Sequence, residues 1–478
     1  MGGRHSAARG GAAPAPSTTA TTTATADSLV VGDEPVRYGP LRLASGVTRW
    51  NMSSYYWLAV TSIMIFTFIA AAQTALLTTV LGVPKGEQGG VVGVAGLIGE
   101  IVLIAVVGLA GAWSDRLGRR PIAVMGYAVM GGGVLITPFV GSVISFYAAR
   151  AVIAVGVAMV TVMITAIVSD YVRNETRGKA NGFLGLCNGI GALLTFFVLL
   201  KLPNVFEGLG LDDTAALRAT YLLVAGIALI TAVLLQLGLR RGRVSEHSEH
   251  VPISTLIKDG IREGRRPGVA FSYISAFVAR ADLALVGSFL TLWAQQYGTD
   301  QLGLSEAAAL AKAGALLGVA NGVALIAAPV IGIIADKLSR TDAVLISLAT
   351  AAVGYTATIF ITNPFSPLGF AIAALIGVGQ VSAVISSQVL VAEQAPLATR
   401  GSVIGMFALS GGIGIMIAFA LGGTLYDAWR PAGPFVFFGI LAGIAFVYGL
   451  TIRSKIPNQP HEAMDHLDDV SGIPSGVQ

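Results

Sequence analysis

Four ionisable residues fall well inside long apolar runs of the sequence: Glu100, Arg150, Arg280 and Asp282. A charged side chain in hydrocarbon is costly unless it meets a partner or water, so such residues often mark ion or solute pathways. A desolvated carboxylate favours its protonated form and can take up and release a proton, which makes Glu100 and Asp282 candidates for proton coupling. The guanidinium groups of Arg150 and Arg280 can pair with these carboxylates or bind an anionic group. Permanent ion pairs that only fix helix packing are the alternative.

The composition is that of an all-α integral membrane protein. Of 478 residues, 54% are hydrophobic and 12% are charged, whereas soluble domains carry roughly 25% charged residues. The net charge is +4, and the basic residues lie in short clusters between apolar runs, which argues against a nucleic-acid-binding protein. The five histidines lie outside these runs and Cys187 is the only cysteine. We therefore expect neither a metal site nor any other cofactor.

Twelve apolar runs are long enough to cross a bilayer, which takes about 20 residues each. These runs cover residues 57–80, 91–111, 122–140, 144–168, 181–200, 219–238, 269–293, 308–334, 343–361, 367–391, 403–424 and 434–452. Twelve crossings put both termini on one side. Of the 30 basic residues, 23 lie on the side of the termini and only five lie in the opposite loops. The positive-inside rule therefore predicts a multi-pass protein of the cell membrane with both termini in the cytoplasm.

The runs divide into two sets of six, separated by a basic segment. We expect a disordered cytoplasmic tail over residues 1–50, a six-helix bundle over 51–239, a cytoplasmic linker over 240–268, a second bundle over 269–455 and a cytoplasmic tail over 456–478. Within the linker, Ile253, Leu256, Ile257 and Ile261 fall on one stripe of a helix. This pattern predicts an amphipathic helix at the membrane surface, with an unstructured linker as the alternative.

The two halves repeat each other in two charged patterns. The segment Gly111–Arg120 follows the second run and Gly332–Arg340 follows the eighth, an offset of 221; Asp170 with Arg177 precedes the fifth run and Glu393 with Arg400 precedes the eleventh, an offset of 223. Repeats of six spans have parallel topology, related by an axis along the membrane normal. This is the arrangement of a two-lobed transporter with its site between the lobes.

The segment Gly111–Arg120 closely resembles the signature loop of the major facilitator superfamily: Gly, three residues, Asp-Arg, one residue, Gly and two basic residues. Arg150 with Gly156 resembles the fourth-helix motif of that family. The resemblance covers about residues 57–455 and implies twelve transmembrane helices in two pseudo-symmetric six-helix bundles. It also implies that spans one, four, seven and ten line the solute cavity, which would place Arg150, Arg280 and Asp282 there.

The resemblance further implies a cytoplasmic latch made of ion pairs that break and re-form in each transport cycle. Asp115 would meet the start of span eleven near Arg400, while Arg116 or Arg119 would pair with Asp170. Asp336, Arg340 and Glu393 would repeat this in the second half. The alternative is that these charges only set the topology. The candidate gating residues are Gly111, Asp115, Arg116, Gly118, Arg119, Arg120, Asp170, Arg177, Gly332, Asp336, Lys337, Arg340, Glu393 and Arg400.

These observations predict a secondary active transporter, not an enzyme, that works as a monomer by alternating access. We expect it to couple protons to the movement of a small organic solute, which the two arginines suggest is anionic. The main alternative is a proton-driven efflux antiporter for amphipathic compounds, although span five lacks the Gly-Pro pair of the drug–proton antiporter branch. A uniporter or a non-transporting membrane sensor is a further alternative.

Overall fold

The protein is built from long helices, in a computed structural model that describes residues 36–242 and 253–457. The side chains of seven residues in these ranges are not described: Ile253, Ser254, Leu256, Asp282, Leu283, Ala335 and Asp336. The expected tails therefore lie largely outside the described residues, as does the part of the linker from residue 243 to residue 252.

Twelve spans of the described chain are long and apolar enough to cross a membrane, which confirms the predicted number. The helices are α1 (Arg49–Thr79), α2 (Gln88–Leu117), α3 (Arg119–Ile136), α4 (Val143–Tyr171), α5 (Arg177–Phe197), α6 (Leu202–Gly208), α7 (Asp213–Gly238), α8 (Ile253–Glu263), α9 (Pro267–Ala284), α10 (Thr291–Leu302), α11 (Glu306–Lys337), α12 (Arg340–Ala357), α13 (Pro367–Gln394), α14 (Arg400–Ala428) and α15 (Gly433–Ile452). Helices α5 and α6 share the fifth span, and α9 and α10 share the seventh.

The repeat seen in the sequence is also present in the packing. Helices α1–α7 form one bundle, in which α3 packs on α4 and α7, and α9–α15 form the other, in which α12 packs on α13 and α15. A methyl group on Gly156 of α4 would lie 2.5 Å from the backbone nitrogen of Met130 in α3; on Gly379 of α13 it would lie 3.0 Å from the Cα of Ala351 in α12. The two glycines are 223 residues apart, so the same close helix crossing occurs in both bundles.

Side-chain caps fix the starts of half of the membrane spans in the described chain. In each case a Ser, Thr or Asp side chain accepts a hydrogen bond from a backbone N–H in the first helical turn, which otherwise has no partner. These caps are Thr48, Ser142, Asp212, Ser305, Ser339 and Ser366. Helices α2 and α14 begin without such a bond from their own N-cap residues, Glu87 and Thr399.

The seventh span is irregular at its centre. Helix α9 ends at Ala284, residues 285–290 form a π-helical turn, and α10 continues from Thr291. Such turns are frequent at functional sites. This one directly follows the segment that carries Arg280 and Asp282.

The expectation of a disordered tail up to residue 50 is wrong for its last part. Two short strands, Arg37–Tyr38 and Leu41–Arg42, pair as a hairpin, and α1 begins at Arg49. The hairpin is held by burial of Leu41 and Leu43 and by backbone bonds to the α4–α5 connection, from Ala44 N–H to the Tyr171 oxygen (2.9 Å) and from Arg173 N–H to the Arg42 oxygen (3.0 Å). The low complexity of the preceding residues hid these few apolar positions.

The linker contains the helix that its apolar stripe predicts, over Ile253–Glu263. It packs on α14 through Gly260, where a methyl group would lie 2.9 Å from the Ser402 carbonyl oxygen. The side chains of Ile257 and Ile261 are exposed. Its contact with a membrane surface stays a prediction.

The hairpin yields a test of stability. Leu43→Ala should lower stability by about 2 kcal/mol, because it removes a fully buried side chain and leaves a cavity. The measurement is the apparent melting temperature of the purified protein in detergent. The matched control is Val36→Ala in the same segment, since Val36 is 44% exposed. Equal melting temperatures for the two variants would contradict the structural role of the hairpin.

Candidate functional site between the bundles

The helix ends define two faces of the molecule. The face that carries the start of α1, at Arg49, and the end of α15, near Arg453, is called the termini face here. Successive spans alternate in direction, so α2 and α11 run from the opposite face to the termini face, whereas α5 and α14 run the other way.

The two bundles pack most closely in the half of the molecule next to the opposite face. Apart from Ala110 and Ser114, the buried residues of α2 lie between Gln88 and Gly96. The buried apolar residues of α11 in the described chain lie between Ala307 and Ala320. Most residues of both helices are therefore no longer buried by neighbouring helices as the helices approach the termini face.

Glycines make the close approach possible. A methyl group on Gly93 of α2 would lie 2.5 Å from the Phe419 carbonyl oxygen of α14, and on Gly314 of α11 it would lie 2.6 Å from the Phe196 oxygen of α5. Nearer the termini face, methyl groups on Gly108 of α2 and Gly405 of α14 would meet nothing within 4 Å. The space between the bundles is thus closed at the opposite face and open at the termini face.

Polar contacts between the bundles reinforce the closed end. Lys85 pairs with Asp300. The Gln296 side chain donates to the Gln88 Oε1 atom (2.9 Å), and Gln73 donates to the Ser288 Oγ atom (3.3 Å). The sequence did not predict these pairings, because Lys85 and Asp300 resemble ordinary loop charges and the polar side chains of a span do not reveal their partners.

Glu100 and Arg280 lie at the closed end of this opening, on either side of α14. A methyl group on Gly411 would lie 2.7 Å from the Arg280 Cγ atom, and one on Gly412 would lie 3.4 Å from the Glu100 Oε1 atom. Both side chains are half-buried. A methyl group on Gly99, the residue before Glu100, would lie 3.6 Å from the Arg150 Nε atom. The described residues show no ion pair within 4.0 Å between Glu100 and either arginine. Glu100 lies about 18 Å along α2 from its start, which is near mid-membrane.

Arg150 lies deeper towards the opposite face. Its buried Nε atom has no hydrogen-bond partner among the described residues. It borders an enclosed cavity of about 10 Å³ together with Gln73 and Tyr221. A volume of that size holds about one water molecule, so a solute would have to bind in the open space nearer Glu100.

Asp282 follows Arg280 on α9, but its side chain lies outside the described residues. The backbone there is helical and leads into the π-helical turn at Leu285. Its predicted part in proton coupling stays a prediction.

Arg119 holds the signature loop together within the first bundle. Its guanidinium donates to the carboxylates of Asp170 (2.8 Å) and Asp115 (2.5 Å) and to the Ser114 hydroxyl (2.6 Å). Gly118 ends α2 with a φ of 96°, a backbone region that favours glycine. The expected contact between Arg119 and Asp170 is present, and its role in gating stays a prediction.

The other residues of the first loop lie around this pair. Arg120 donates to Gln236 (3.2 Å) and Arg177 to the Ser169 carbonyl oxygen (2.9 Å). Arg116 is exposed and Gly111 is half-buried on α2. All four are on the first bundle at the termini face.

The second bundle repeats the ion pair. Arg340 Nε lies 3.3 Å from the Glu393 Oε2 atom, and both side chains are about 15% exposed. Lys337 and Arg400 are exposed, and Gly332 meets nothing within 4 Å. The side chain of Asp336 lies outside the described residues.

The expected contact between Asp115 and the start of α14 is not made by the described residues. Asp115 pairs with Arg119 instead, and Gly401 has open space within 4 Å. This follows from the separation of α2 and α14 at the termini face.

A helical membrane protein with two six-span bundles around an opening at one face has the architecture of a secondary transporter. The family model described as Major Facilitator Superfamily matches residues 55–367 and 272–467. The chain belongs to this superfamily and is a transporter rather than an enzyme.

Several known proteins are similar over most of the chain. Magnetosome protein MamH of Paramagnetospirillum magneticum is 28% identical over 414 residues, which cover 84% of this chain and 92% of MamH. Magnetosome protein MamZ of the same organism is 26% identical; the match covers 88% of this chain but 64% of MamZ. Multidrug resistance protein 2 of Bacillus subtilis is 25% identical, with 74% and 83% covered.

Solved structures share the fold. The nucleoside transporter NupG matches with a TM-score of 0.65 at 14% identity, covering 85% of this chain and 99% of that one. The D-xylose-proton symporter matches with a TM-score of 0.61 at 18% identity, covering 85% and 98%. These similarities establish the twelve-helix fold. They do not assign a role to any residue of this chain.

The loop ion pairs give a second prediction. Asp170→Asn should destabilise the protein by about 2 kcal/mol, because it leaves a shielded guanidinium with one carboxylate partner fewer. Glu175→Gln removes the same charge from the exposed pair with Arg42 and should cost about 0.5 kcal/mol or less. Apparent melting temperatures in detergent compare the two. A loss in Glu175→Gln as large as that in Asp170→Asn would rule out the special role of the Arg119 pair.

Proposed function

We propose that this chain is a proton-coupled transporter of a small anionic organic solute that works by alternating access. The observation that carries this proposal is the group formed by Glu100 of one bundle and Arg280 of the other, with Arg150 beside them. It lies at the closed end of the opening, near mid-membrane. Among the side chains that the structure describes there, two guanidinium groups and one carboxylate leave an excess positive charge that favours an anion.

The open face is proposed to be the cytoplasmic face. Most basic residues lie on the side of the termini, as the positive-inside rule requires. The structure would then be the inward-open state of a monomer in the cell membrane. The reaction of engineered cysteines with an impermeant reagent from either side of the membrane tests this orientation.

Proton coupling is proposed for Glu100 and Asp282. When the solute binds near Arg280, it would compete with the Glu100 carboxylate for the positive charge and so favour protonation of Glu100. Solute and proton would then neutralise the group together, which lowers the cost of enclosing it in the membrane. A proton symporter with this fold is known for D-xylose, so the architecture is compatible with such coupling.

The gating residues of the two loops are proposed to open and close the cytoplasmic face. The pairs Arg119–Asp170 and Arg340–Glu393 would hold each bundle in shape, while Asp115 would change partner between Arg119 and the start of α14. Ion pairs at helix ends are suited to this because each is worth little and is readily re-formed.

Ligand binding can be tested on the purified protein. In a thermal-shift screen against organic anions, sugars and cationic amphiphiles, an anion at about 100 times its dissociation constant should raise stability by about 2.7 kcal/mol. Arg280→Ala should abolish that shift. The control is Arg453→Ala, which removes a positive charge at the end of α15, where Arg453 pairs with Asp342 of α12. Retention of the full shift in Arg280→Ala would overturn the proposed role of Arg280.

Coupling can be tested in proteoliposomes once an anion is found. Glu100→Gln should abolish accumulation driven by a proton gradient but preserve exchange of solute, because exchange needs no net proton movement. Asp282→Asn tests the second candidate in the same assay, and Glu175→Gln serves as the control. Gradient-driven accumulation at the wild-type level in both Glu100→Gln and Asp282→Asn would defeat proton coupling through these residues.

Efflux of amphipathic compounds is the second candidate. It is favoured by the similarity to Multidrug resistance protein 2, and the absence of a Gly-Pro pair from α5 speaks against it. Stabilisation by cationic amphiphiles alone would support efflux and would make Glu100 the residue that recognises the cation.

A further inference from the structure

Asp427 lies at the end of α14 and binds the start of α2 in the other bundle. Its two carboxylate oxygens accept hydrogen bonds from the backbone N–H groups of Gly89 (3.0 Å) and Gly90 (2.6 Å). These are the second and third residues of α2, the positions that an N-cap side chain normally binds. Since Glu87 makes no such bond, Asp427 supplies the missing cap from across the interface.

This cap depends on both charge and space. An anion at a helix N-terminus is stabilised by the helix dipole and by charge-assisted hydrogen bonds. A methyl group on Gly89 would lie 2.5 Å from the Asp427 Oδ1 atom, so a larger residue there would push the carboxylate away. The contact therefore requires the pair of glycines that begins α2.

The sequence contains the same arrangement at the other end of the two helices. Helices α2 and α14 run antiparallel. Asp115 lies 26 positions after Gly89, just as Asp427 lies 26 positions after Gly401. Gly401 and Ser402 are the second and third residues of α14. Asp115 is thus in the same register with the start of α14 as Asp427 is with the start of α2.

The start of α14 receives no cap from the described residues. Its N-cap residue Thr399 makes no side-chain capping bond, and the Thr399 Oγ1 atom is buried without a partner among the described residues. Gly401 faces open space. Of the two possible caps, only the one made by Asp427 is formed.

We infer that Asp427 and Asp115 are alternative caps at the two ends of one helix pair, and that Asp427 is the gating residue of the opposite face. Each helix is rigid, and about 39 Å separates positions 26 residues apart, more than the hydrocarbon thickness of about 30 Å. A rocking motion that brings Asp115 onto α14 would draw Asp427 away from α2. This inference rests on the proposed alternating access.

The second helix pair between the bundles has a related contact. Glu207, on α6 just after α5, accepts a hydrogen bond through its Oε2 atom from the Ser305 hydroxyl (2.9 Å). Ser305 is the N-cap of α11. An acidic residue at the end of the fifth span thus meets the start of the eighth, as Asp427 of the eleventh span meets the start of the second.

The test uses cysteine reporters in a Cys187→Ser background, which has no other thiol. Ser288→Cys reports opening of the opposite face, because Ser288 is fully buried at the closed end of the space between the bundles. The reaction of this cysteine with an impermeant maleimide is followed from outside the cell. Disulfide formation between Gly108→Cys on α2 and Ala408→Cys on α14 reports closure of the termini face. Both positions are now exposed to open space or solvent.

Asp427→Asn leaves one acceptor oxygen where two are used and removes the charge that the helix dipole stabilises. It should therefore raise both signals about fivefold. Adding Asp115→Asn should bring both signals back towards the background. Gly90→Pro leaves residue Asp427 unchanged but removes one of its two donors, and the proline ring would also crowd the carboxylate, because the Gly90 nitrogen lies 2.6 Å from the Asp427 Oδ2 atom. Proline is tolerated in a first helical turn. Gly90→Pro should therefore also raise both signals, and it replaces Asp427→Asn in the test if that variant does not fold. Asp300→Asn is the matched comparison: it removes the same charge from another contact between the bundles at the same face, but that pair with Lys85 is exposed to solvent and therefore weak. Its signals should stay within about twofold of the background.

Gly93→Val separates this inference from the proposed function. A side chain there collides with the α14 backbone and should force the opposite face open. If Gly93→Val changes both reporters but Asp427→Asn and Gly90→Pro match Asp300→Asn, the role of Asp427 is refuted while alternating access stands. If Gly93→Val changes neither reporter, alternating access itself fails. A rise in maleimide labelling without disulfide formation in Asp427→Asn would mean local loosening and would also overturn the inference.

Discussion

A backbone N–H or C=O group without a partner is so costly in hydrocarbon that each spanning helix must satisfy its own hydrogen bonds along its length. Only the first and last turns have free groups, and these are the places where partners can be exchanged cheaply. The contacts between the bundles agree with this constraint. One of their polar contacts, in which Asp427 accepts hydrogen bonds from Gly89 and Gly90, engages a first turn. Further along α2, Gly93 packs directly on the backbone of α14. Movement at helix ends therefore leaves the helices themselves intact.

The same constraint explains the setting of the charged group. Arg280 and Glu100 can lie near mid-membrane because Gly411 and Gly412 of α14 leave room for their side chains, and because the opening admits water from the termini face. The Arg150 Nε atom, which has no partner among the described residues, lies nearer the opposite face, where the bundles are closed. Charge is thus tolerated where the bundles separate and left poorly satisfied where they close. This asymmetry is what a site that must be enclosed and reopened requires.

Features that depend on local or periodic patterns could be predicted from the sequence. The twelve spans follow from apolar runs, the repeat follows from matching loops, and the pairing of Arg119 with Asp170 follows from the family resemblance of its loop. The hairpin before α1 was not predicted, because a few apolar residues such as Leu43 do not by themselves indicate a strand. Their role becomes clear only from the backbone pairing of Leu43 with Val172. The contact of Asp427 with Gly89 was missed because the residues are 338 positions apart in the sequence. Only the antiparallel register of α2 and α14 brings them together.

Helices α2 and α14 link the charged group to both faces. Glu100 and Gly412 lie between the two cap positions, so a change of charge at Glu100 acts close to the point about which the helices would pivot. A ligand or a proton shifts a conformational equilibrium only by its difference in affinity between the two states. Arg280 of α9 packs on Gly411 of α14, next to the Gly412 that Glu100 approaches. A solute bound at Arg280 and a proton bound at Glu100 would therefore both act where α2 crosses α14. Because the caps at the two ends compete, a modest preference of a few kcal/mol or less at this crossing is enough to select between them.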